Sequence, residues 1–129
     1  MDTALSVIVV DDQAPFRLAA KAVLRRSEGF ELVGEAENGV AAVALASTVH
    51  PDVVLMDINM PEMGGIEATR RILADAPETF VILCSTYDVH DLPPDAAASG
   101  ARAYVHKEQL GATTLRRLWD ERGANGFVS

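Results

Sequence analysis

Five short, mostly apolar runs alternate with five segments of helical pattern along this 129-residue chain, and this alternation constrains the fold more than any other feature. Runs of this length bounded by Gly, Pro and Asp are typical of buried strands. Each connection is long enough for a helical crossover, so we expect neighbouring strands to be parallel and the sheet to be covered on both faces. The predicted strands are 6–10, 31–36, 53–56, 80–84 and 102–105.

The segments between the strands repeat apolar residues at helical spacing. Phe16 lies on the apolar face of the first predicted helix, a second helix is predicted over about 40–47, and a third ends before Pro77. Pro93 and Pro94 leave room for only a short fourth helix, which a proline can start. The pattern therefore predicts an α/β fold with a doubly wound parallel sheet, although alternation alone does not give the order of the strands.

Composition limits the kinds of partner that this segment can have. Hydrophobic residues make up 49% and charged residues 23% of the chain, which is typical of a globular domain. The formal net charge of −8 argues against direct nucleic-acid binding by this segment. No apolar stretch reaches the roughly 18–20 residues of a membrane helix. The chain has one cysteine, Cys84, so an internal disulfide is ruled out, and we expect this residue in the core. A chain of this kind is compatible with a reducing compartment, and we expect a cytoplasmic protein.

Polar and charged side chains follow four of the predicted strands at the point where each strand ends. The carboxyl ends of parallel strands meet at one edge of a sheet, so residues that are far apart in sequence are expected to converge there. These residues are Asp11 and Asp12 after the first strand, Asp57 after the third, Ser85 and Thr86 after the fourth, and His106 and Lys107 after the fifth.

Three converging carboxylates repel one another and need a cation or raised pKa values. Hard oxygen donors of this kind suit Mg²⁺, and Lys107 supplies a second positive charge. An Asp that follows a strand is also a common helix N-cap, and Asp12 could serve the first helix in this way. The combination of charges at one edge nevertheless favours a functional site.

The motifs at these strand ends resemble those of the receiver domain of two-component response regulators. The resemblance rests on "VVDD", "LMDINMPEMGG", "ILCST" and "YVHK", and it covers the chain from Val7 to Trp119. The apolar stretches are most similar to receivers that carry a helix-turn-helix output domain. The resemblance implies a flavodoxin-like (βα)5 fold with strand order 2-1-3-4-5. It further implies a receiver domain over residues 1–122, followed by a flexible tail or the start of a linker over 123–129.

The resemblance also assigns the phosphoacceptor and its metal site. Asp57 is expected to accept a phosphoryl group from a sensor histidine kinase. Asp12, the Asp57 carboxylate and the backbone carbonyl of Asn59 are expected to bind Mg²⁺, with Asp11 ordering a metal-bound water. Lys107 is expected to contact the acyl phosphate. Such a domain catalyses its own phosphorylation and slow hydrolysis, and it is not expected to be a metabolic enzyme.

Two further residues are implied to form the switch. Ser85 matches the hydroxyl position, and Thr86 fills the small-residue position after it. Tyr104 matches the aromatic switch position on the fifth strand. After phosphorylation the Ser85 hydroxyl is expected to move towards the phosphate, so that Tyr104 turns inward and the altered surface controls an output. That output is expected to be transcription, through a DNA-binding domain outside this segment.

The chain departs from the family pattern at two places. Glu108 follows the lysine where many receivers have proline, which leaves the loop after the fifth strand less fixed. The short, proline-started fourth helix alters a common dimer face, so homodimerisation is left open. A receiver-like interaction module that acts without phosphate is the main alternative, followed by a flavodoxin-like cofactor binder and a phosphatase with an Asp nucleophile. The acidic loop "DDQAPF" after the first strand disfavours an anionic cofactor.

Overall fold

The five predicted strands form one parallel sheet in a computed structural model that describes residues 4–123 and 127. The strand order is β2-β1-β3-β4-β5, as the resemblance implied. Four strands are entirely or largely buried, because helices cover them on both faces. The strands are β1 (Leu5–Val10), β2 (Phe30–Ala36), β3 (Val53–Asp57), β4 (Phe80–Ser85) and β5 (Ala103–His106).

Five helices alternate with these strands in the part of the chain that the structure describes. The second is longer than predicted and ends at Val49; the next residue, His50, has a φ of 48°, in the left-handed region. The fourth has only four residues after Pro94, so the prediction of a short helix is confirmed. The helices are α1 (Ala14–Arg25), α2 (Gly39–Val49), α3 (Gly65–Asp75), α4 (Asp95–Ala98) and α5 (Ala112–Asp120), and short 3₁₀ turns span Val89–Asp91 and Lys107–Gln109.

The core consists of two apolar layers, one on each face of the sheet. Successive side chains of a strand point to opposite faces, so Ile8 and Val54 lie in one layer while Val7 and Val53 lie in the other. The first layer is closed by α2, α3 and α4, and the second by α1 and α5. Both faces are therefore used for packing, and the carboxyl edge of the sheet remains available for polar side chains.

The predicted tail lies outside the described residues apart from Gly123 and Phe127, and the Phe127 side chain packs against the first core layer. Among the helices that the structure describes, none combines the length and apolar character needed to cross a membrane.

Candidate functional site

Three carboxylates meet at the carboxyl edge of the sheet. Asp11 follows β1 and Asp57 ends β3, and these neighbouring strands pair in register at Val10 and Met56. The side chains of Asp11, Asp12 and Asp57 have oxygen atoms that all lie within 4.8 Å of one another. The predicted convergence of these acids is therefore a property of the strand pairing.

Lys107 bridges the two buried carboxylates. Its Nζ lies 2.8 Å from Asp11 Oδ2 and 3.7 Å from Asp57 Oδ2. Asp11 is fully buried and Asp57 is 6% exposed, so both charges depend on this ammonium for compensation. The lysine follows β5, and β4 separates that strand from β3 in the sheet. Its long side chain therefore reaches across the carboxyl edge of the sheet to Asp57 and Asp11.

The surroundings of Asp57 raise its pKa from 3.8 to about 6. Burial is the main cause, and the Asp11 carboxylate adds to it, whereas Lys107 and the N–H of Ile58 oppose the shift. That N–H donates to Asp57 Oδ1 at 2.9 Å. Burial lowers the pKa of Lys107, but the Asp11 and Asp57 carboxylates outweigh it and hold that pKa above its usual value. Asp57 is thus largely ionised at neutral pH and Lys107 is charged.

The donor set fits a small divalent cation. Three carboxylates and one ammonium leave a formal charge of −2 when all are ionised, and the ligand atoms are hard oxygens. Asp12 is exposed at the rim of the cluster. The acidic cluster could bind a metal ion, and its oxygen ligands suit a hard cation better than a soft one.

Asp12 does not cap the first helix. The N-cap of α1 is Gln13, whose side chain makes no capping hydrogen bond. Instead the Gln13 N–H donates to Asp11 Oδ1 at 2.9 Å, which fixes the Asp11 side chain in a tight local turn. The capping role considered for Asp12 is therefore wrong, and this exposed carboxylate is left for the cluster.

Arg17 holds the backbone at Asp11 in place through a hydrogen bond. Its Nη1 donates to the Asp11 carbonyl at 2.8 Å, while Nε and Nη2 pair with Glu35 and Glu37 at 3.3 Å each. The Arg17 side chain is 13% exposed. Sequence reasoning missed this contact, because the partners come from the end of β2 and only their adjacency in the sheet brings them to α1.

A close turn connects Asp57 to α3. The Gly65 N–H donates to the Ile58 carbonyl at 2.8 Å, and a Cβ on Gly65 would lie 1.8 Å from the Asp57 carbonyl oxygen. Only glycine can begin α3 this close to the strand. Met63, with a φ of 130°, accepts a 3.0 Å hydrogen bond from Gly39 N–H, which ties the turn to the start of α2.

Ser85 and Tyr104 share a buried hydroxyl network. The Tyr104 hydroxyl lies 2.5 Å from the Tyr87 carbonyl and 3.1 Å from the Ser85 carbonyl. Carbonyls can only accept, so the tyrosine proton belongs to them and the Ser85 hydroxyl donates to the Tyr104 oxygen across 3.0 Å. The Tyr87 N–H donates to Ser85 Oγ at 3.2 Å. Burial raises the pKa of Tyr104, so its hydroxyl is a neutral member of the network.

Tyr104 already occupies the inward position. It is 3% exposed and packs in the first core layer, because the network above satisfies its hydroxyl. The family resemblance implies that this ring turns inward only after phosphorylation. The described arrangement instead has the Ser85 hydroxyl engaged with the inward tyrosine.

The remaining predicted residues lie around this cluster. Asn59 is exposed, and its side chain donates to the Tyr87 hydroxyl at 3.0 Å; the metal-binding role of its carbonyl stays a prediction. Thr86 is exposed. His106 Nδ1 accepts from the Glu108 N–H at 3.1 Å, so this histidine caps the 3₁₀ turn that follows β5. Cys84 is buried as expected, and burial raises its pKa to about 12.

Comparison with known proteins identifies relatives over most of the chain. A family profile described as the response regulator receiver domain matches residues 7–118. The chain is 41% identical to the chemotaxis protein CheY of Listeria monocytogenes over 114 residues, which cover 88% of this chain and 95% of CheY. It is also similar to the solved signal receiver domain of the NarL response regulator of Mycobacterium tuberculosis. That likeness has a TM-score of 0.83 and 29% identity, and it covers 95% of this chain and 98% of the NarL chain.

Some relatives are much longer than the matched region. The transcriptional regulatory protein DegU of Brevibacillus brevis is 36% identical over 104 residues, which cover 81% of this chain but only 44% of DegU. The matched region therefore occurs both as nearly a whole protein and as one part of a larger regulator.

Proposed function

Because this chain belongs to the response regulator receiver domain family, we propose that it accepts a phosphoryl group on Asp57 from a sensor histidine kinase. The observation that carries the proposal is the bridging position of Lys107. A single ammonium lies between the buried Asp11 and Asp57 carboxylates, beside a third acid that could complete a cation site. A nucleophilic carboxylate facing a phosphoryl group needs this kind of charge compensation.

The proposed transfer is an in-line displacement at phosphorus. An Asp57 carboxylate oxygen forms the new bond to phosphorus, and the bond from phosphorus to the imidazole nitrogen of the kinase phosphohistidine breaks. The leaving nitrogen keeps the electron pair, and because the other ring nitrogen carries a proton, the imidazole ends as a neutral histidine. The Asp57 pKa of about 6 leaves the carboxylate ionised at neutral pH, as a nucleophile requires.

The metal site proposed for this reaction uses oxygen ligands. Asp12, the Asp57 carboxylate and the Asn59 carbonyl would hold Mg²⁺, with Asp11 acting through a bound water. Bound there, the ion would neutralise repulsion between the carboxylates and the incoming phosphoryl oxygens. Asp11 is also the ion-pair partner of Lys107, so it links the metal site to the lysine.

Lys107 and Ser85 are proposed to recognise the phosphorylated aspartate. Lys107 Nζ lies closer to Asp11 than to Asp57, and a phosphoryl group on Asp57 would bring new anionic oxygens towards the ammonium. The Ser85 hydroxyl would exchange its bond to Tyr104 for one to a phosphoryl oxygen. The Tyr87 N–H, which donates to Ser85 Oγ, would follow, so the loop after β4 would shift.

The output is proposed to be transcription in the cytoplasm, through a DNA-binding domain outside this segment. Support comes from DegU, which is a transcriptional regulatory protein longer than the matched region. The similarity to CheY, a chemotaxis protein matched over 95% of its length, favours instead a receiver that acts through a separate partner. The shared element of both is the receiver itself.

Beryllofluoride with Mg²⁺, a stable mimic of a phosphoryl group on a carboxylate, tests the proposal without a kinase. We expect amide NMR shifts at Asp57, Ser85 and Lys107, and none in Asp57→Asn, which lacks the anionic ligand oxygen. If the wild-type protein shows no shifts, the phosphate-independent interaction module becomes the better account. Shifts that persist in Asp57→Asn would place the binding site elsewhere.

A further inference from the structure

The ring of Phe16 lies beside the ammonium of Lys107. Lys107 Nζ is 4.8 Å from the ring centroid, and the same atom contacts Asp11 Oδ2 and approaches Asp57 Oδ2. The lysine side chain is 13% exposed, so two carboxylates and one aromatic ring surround most of the charge. The negative face of an aromatic ring attracts a cation, and this attraction is stronger where water is largely excluded.

Phe16 is held rigidly relative to Asp11. It lies in the first turn of α1, where its N–H donates to the Gln13 carbonyl at 3.1 Å, and its ring packs against the second core layer. The Gln13 N–H in turn donates to Asp11 Oδ1. The ring and the carboxylate are therefore fixed to each other through a short stretch of backbone.

We propose that Phe16 is a positioning residue for Lys107, whose ring face holds the ammonium between the Asp11 and Asp57 carboxylates. This inference rests on the proposed phosphorylation of Asp57. A lysine side chain has four rotatable bonds, and the ion pair with Asp11 alone leaves the Nζ free to turn away from Asp57. The Phe16 ring opposes this movement, so the Lys107 ammonium stays within reach of an incoming phosphoryl group.

Fluorinated phenylalanines at position 16 separate this role from simple packing. Fluorine withdraws electron density from the ring face while the shape of the side chain hardly changes. With acetyl phosphate and Mg²⁺, we expect the phosphorylation rate to fall stepwise with one, two and three fluorines. The expected total decrease is about threefold to tenfold. Phe16→Leu should be similarly slow, whereas Phe16→Tyr, which keeps the ring face, should remain near the wild-type rate.

Phe30 provides a matched control. It also lies beneath a cation, with the guanidinium carbon of Arg116 5.1 Å from its ring centroid, but it begins β2 at the opposite edge from the site. The same fluorinated residues at position 30 should leave the phosphorylation rate unchanged. An equal effect at both positions would show a general loss of packing and would overturn the proposed role of Phe16.

The results distinguish this inference from the proposed function. If the wild-type protein gains a phosphoryl group but the position-16 series has a constant rate, Phe16 does not position Lys107 and the proposed function stands. If the wild-type protein gains none, the proposed function and its dependence on Phe16 both fail.

The contact between the Phe16 ring and Lys107 is measured separately in unphosphorylated protein. The Lys107 ε-methylene protons should be shifted upfield by the ring and lose that shift in Phe16→Leu; unshifted wild-type signals would overturn the contact.

Discussion

Asp57 is a carboxylate whose ionisation opposes folding. Its pKa in the folded chain, about 6, lies above the value of 3.8 expected without these surroundings. The folded state therefore binds a proton at Asp57 more tightly than the unfolded state does. The stabilising effect of that proton is complete below about pH 4 and is lost as the pH rises through about 6. At neutral pH the ionised acid is retained at the expense of stability, as expected of a reactive group.

Replacing Asp57 with Asn should stabilise the metal-free protein. We expect the free energy of unfolding at pH 7 to rise by about 1–3 kcal/mol, because the buried charge and its repulsion by Asp11 are removed. The gain should shrink as the pH falls towards 4, where wild-type Asp57 is itself protonated. Denaturant unfolding with a chelator present measures both values.

The matched control is Asp91→Asn, which changes an exposed carboxylate in a 3₁₀ turn. It should alter the free energy of unfolding by about 0.5 kcal/mol or less. An Asp57→Asn protein that is clearly less stable than wild type at pH 7 would mean that the carboxylate has a structural role.

At this scale the sequence predicts which acids converge, but it does not predict their neighbours. Asp11, Asp12 and Asp57 are recognisable because each follows an apolar run. The sequence identifies Phe16 only as a residue on the apolar face of a helix, and nothing in the local pattern indicates that the Lys107 ammonium lies above its ring. Such contacts depend on strand order and side-chain direction, which no local window contains.

At the scale of elements, the turn between β3 and α3 decides where Asp57 lies. Gly65 begins α3 with no room for a Cβ, since that atom would lie 1.8 Å from the Asp57 carbonyl oxygen. The helix can therefore approach the strand only through glycine. In this position α3 contributes Ala68 and Ile72 to the first core layer.

Gly65→Ala should consequently destabilise the fold and disturb the site. We expect the free energy of unfolding to fall by about 3 kcal/mol, because the backbone of β3 and α3 must separate to admit the methyl group. The phosphorylation rate should fall as well, since the displaced backbone carries Asp57. Denaturant unfolding and phosphorylation with acetyl phosphate measure the two effects.

Gly111→Ala is the corresponding control at the N-cap of α5. A Cβ there has no heavy atom within 4 Å, and the φ of −163° is open to any residue. We expect a loss of at most about 1 kcal/mol, because alanine is a weaker N-cap than glycine. Equal effects of the two substitutions would show that the close contact at Gly65 is not limiting.

The elements themselves were predictable because the strands are buried and uninterrupted, whereas the network around Tyr104 was not. The family resemblance implies that Tyr104 turns inward only after phosphorylation, but its ring is already inward, with the hydroxyl beside Ser85 and Tyr87. A tyrosine can be buried or exposed, and burial is favoured when its hydroxyl has hydrogen-bond partners. For Tyr104 those partners are Ser85, at the end of β4, and Tyr87 in the loop that follows. The order of the strands likewise followed from the family resemblance and not from alternation.

At the scale of the whole molecule, the sheet separates the two core layers, and the single cysteine lies in the second layer, on the inner strand β4. Cys84 is 1% exposed, and burial raises the pKa of its thiol to about 12. Reaction with a thiol reagent should therefore need opening of the central sheet. We expect labelling of the folded protein to be at least about 10³-fold slower than that of the unfolded chain, given the usual stability of a domain.

Mass spectrometry of Cys84 labelling over a denaturant series measures this protection. The protection should decline in parallel with global unfolding followed by Trp119 fluorescence. Rapid labelling without denaturant would show that the β4 region opens locally, contrary to the packing of both layers.

Phosphorylation of Asp57 is the step on which the proposed function depends. It is tested by the mass of the protein after incubation with acetyl phosphate and Mg²⁺, followed by peptide mapping of the modified residue. We expect one added phosphoryl group, located on Asp57, which is absent in Asp57→Asn and when Mg²⁺ is chelated. A protein that gains no phosphoryl group, or gains one equally well in Asp57→Asn, would contradict it.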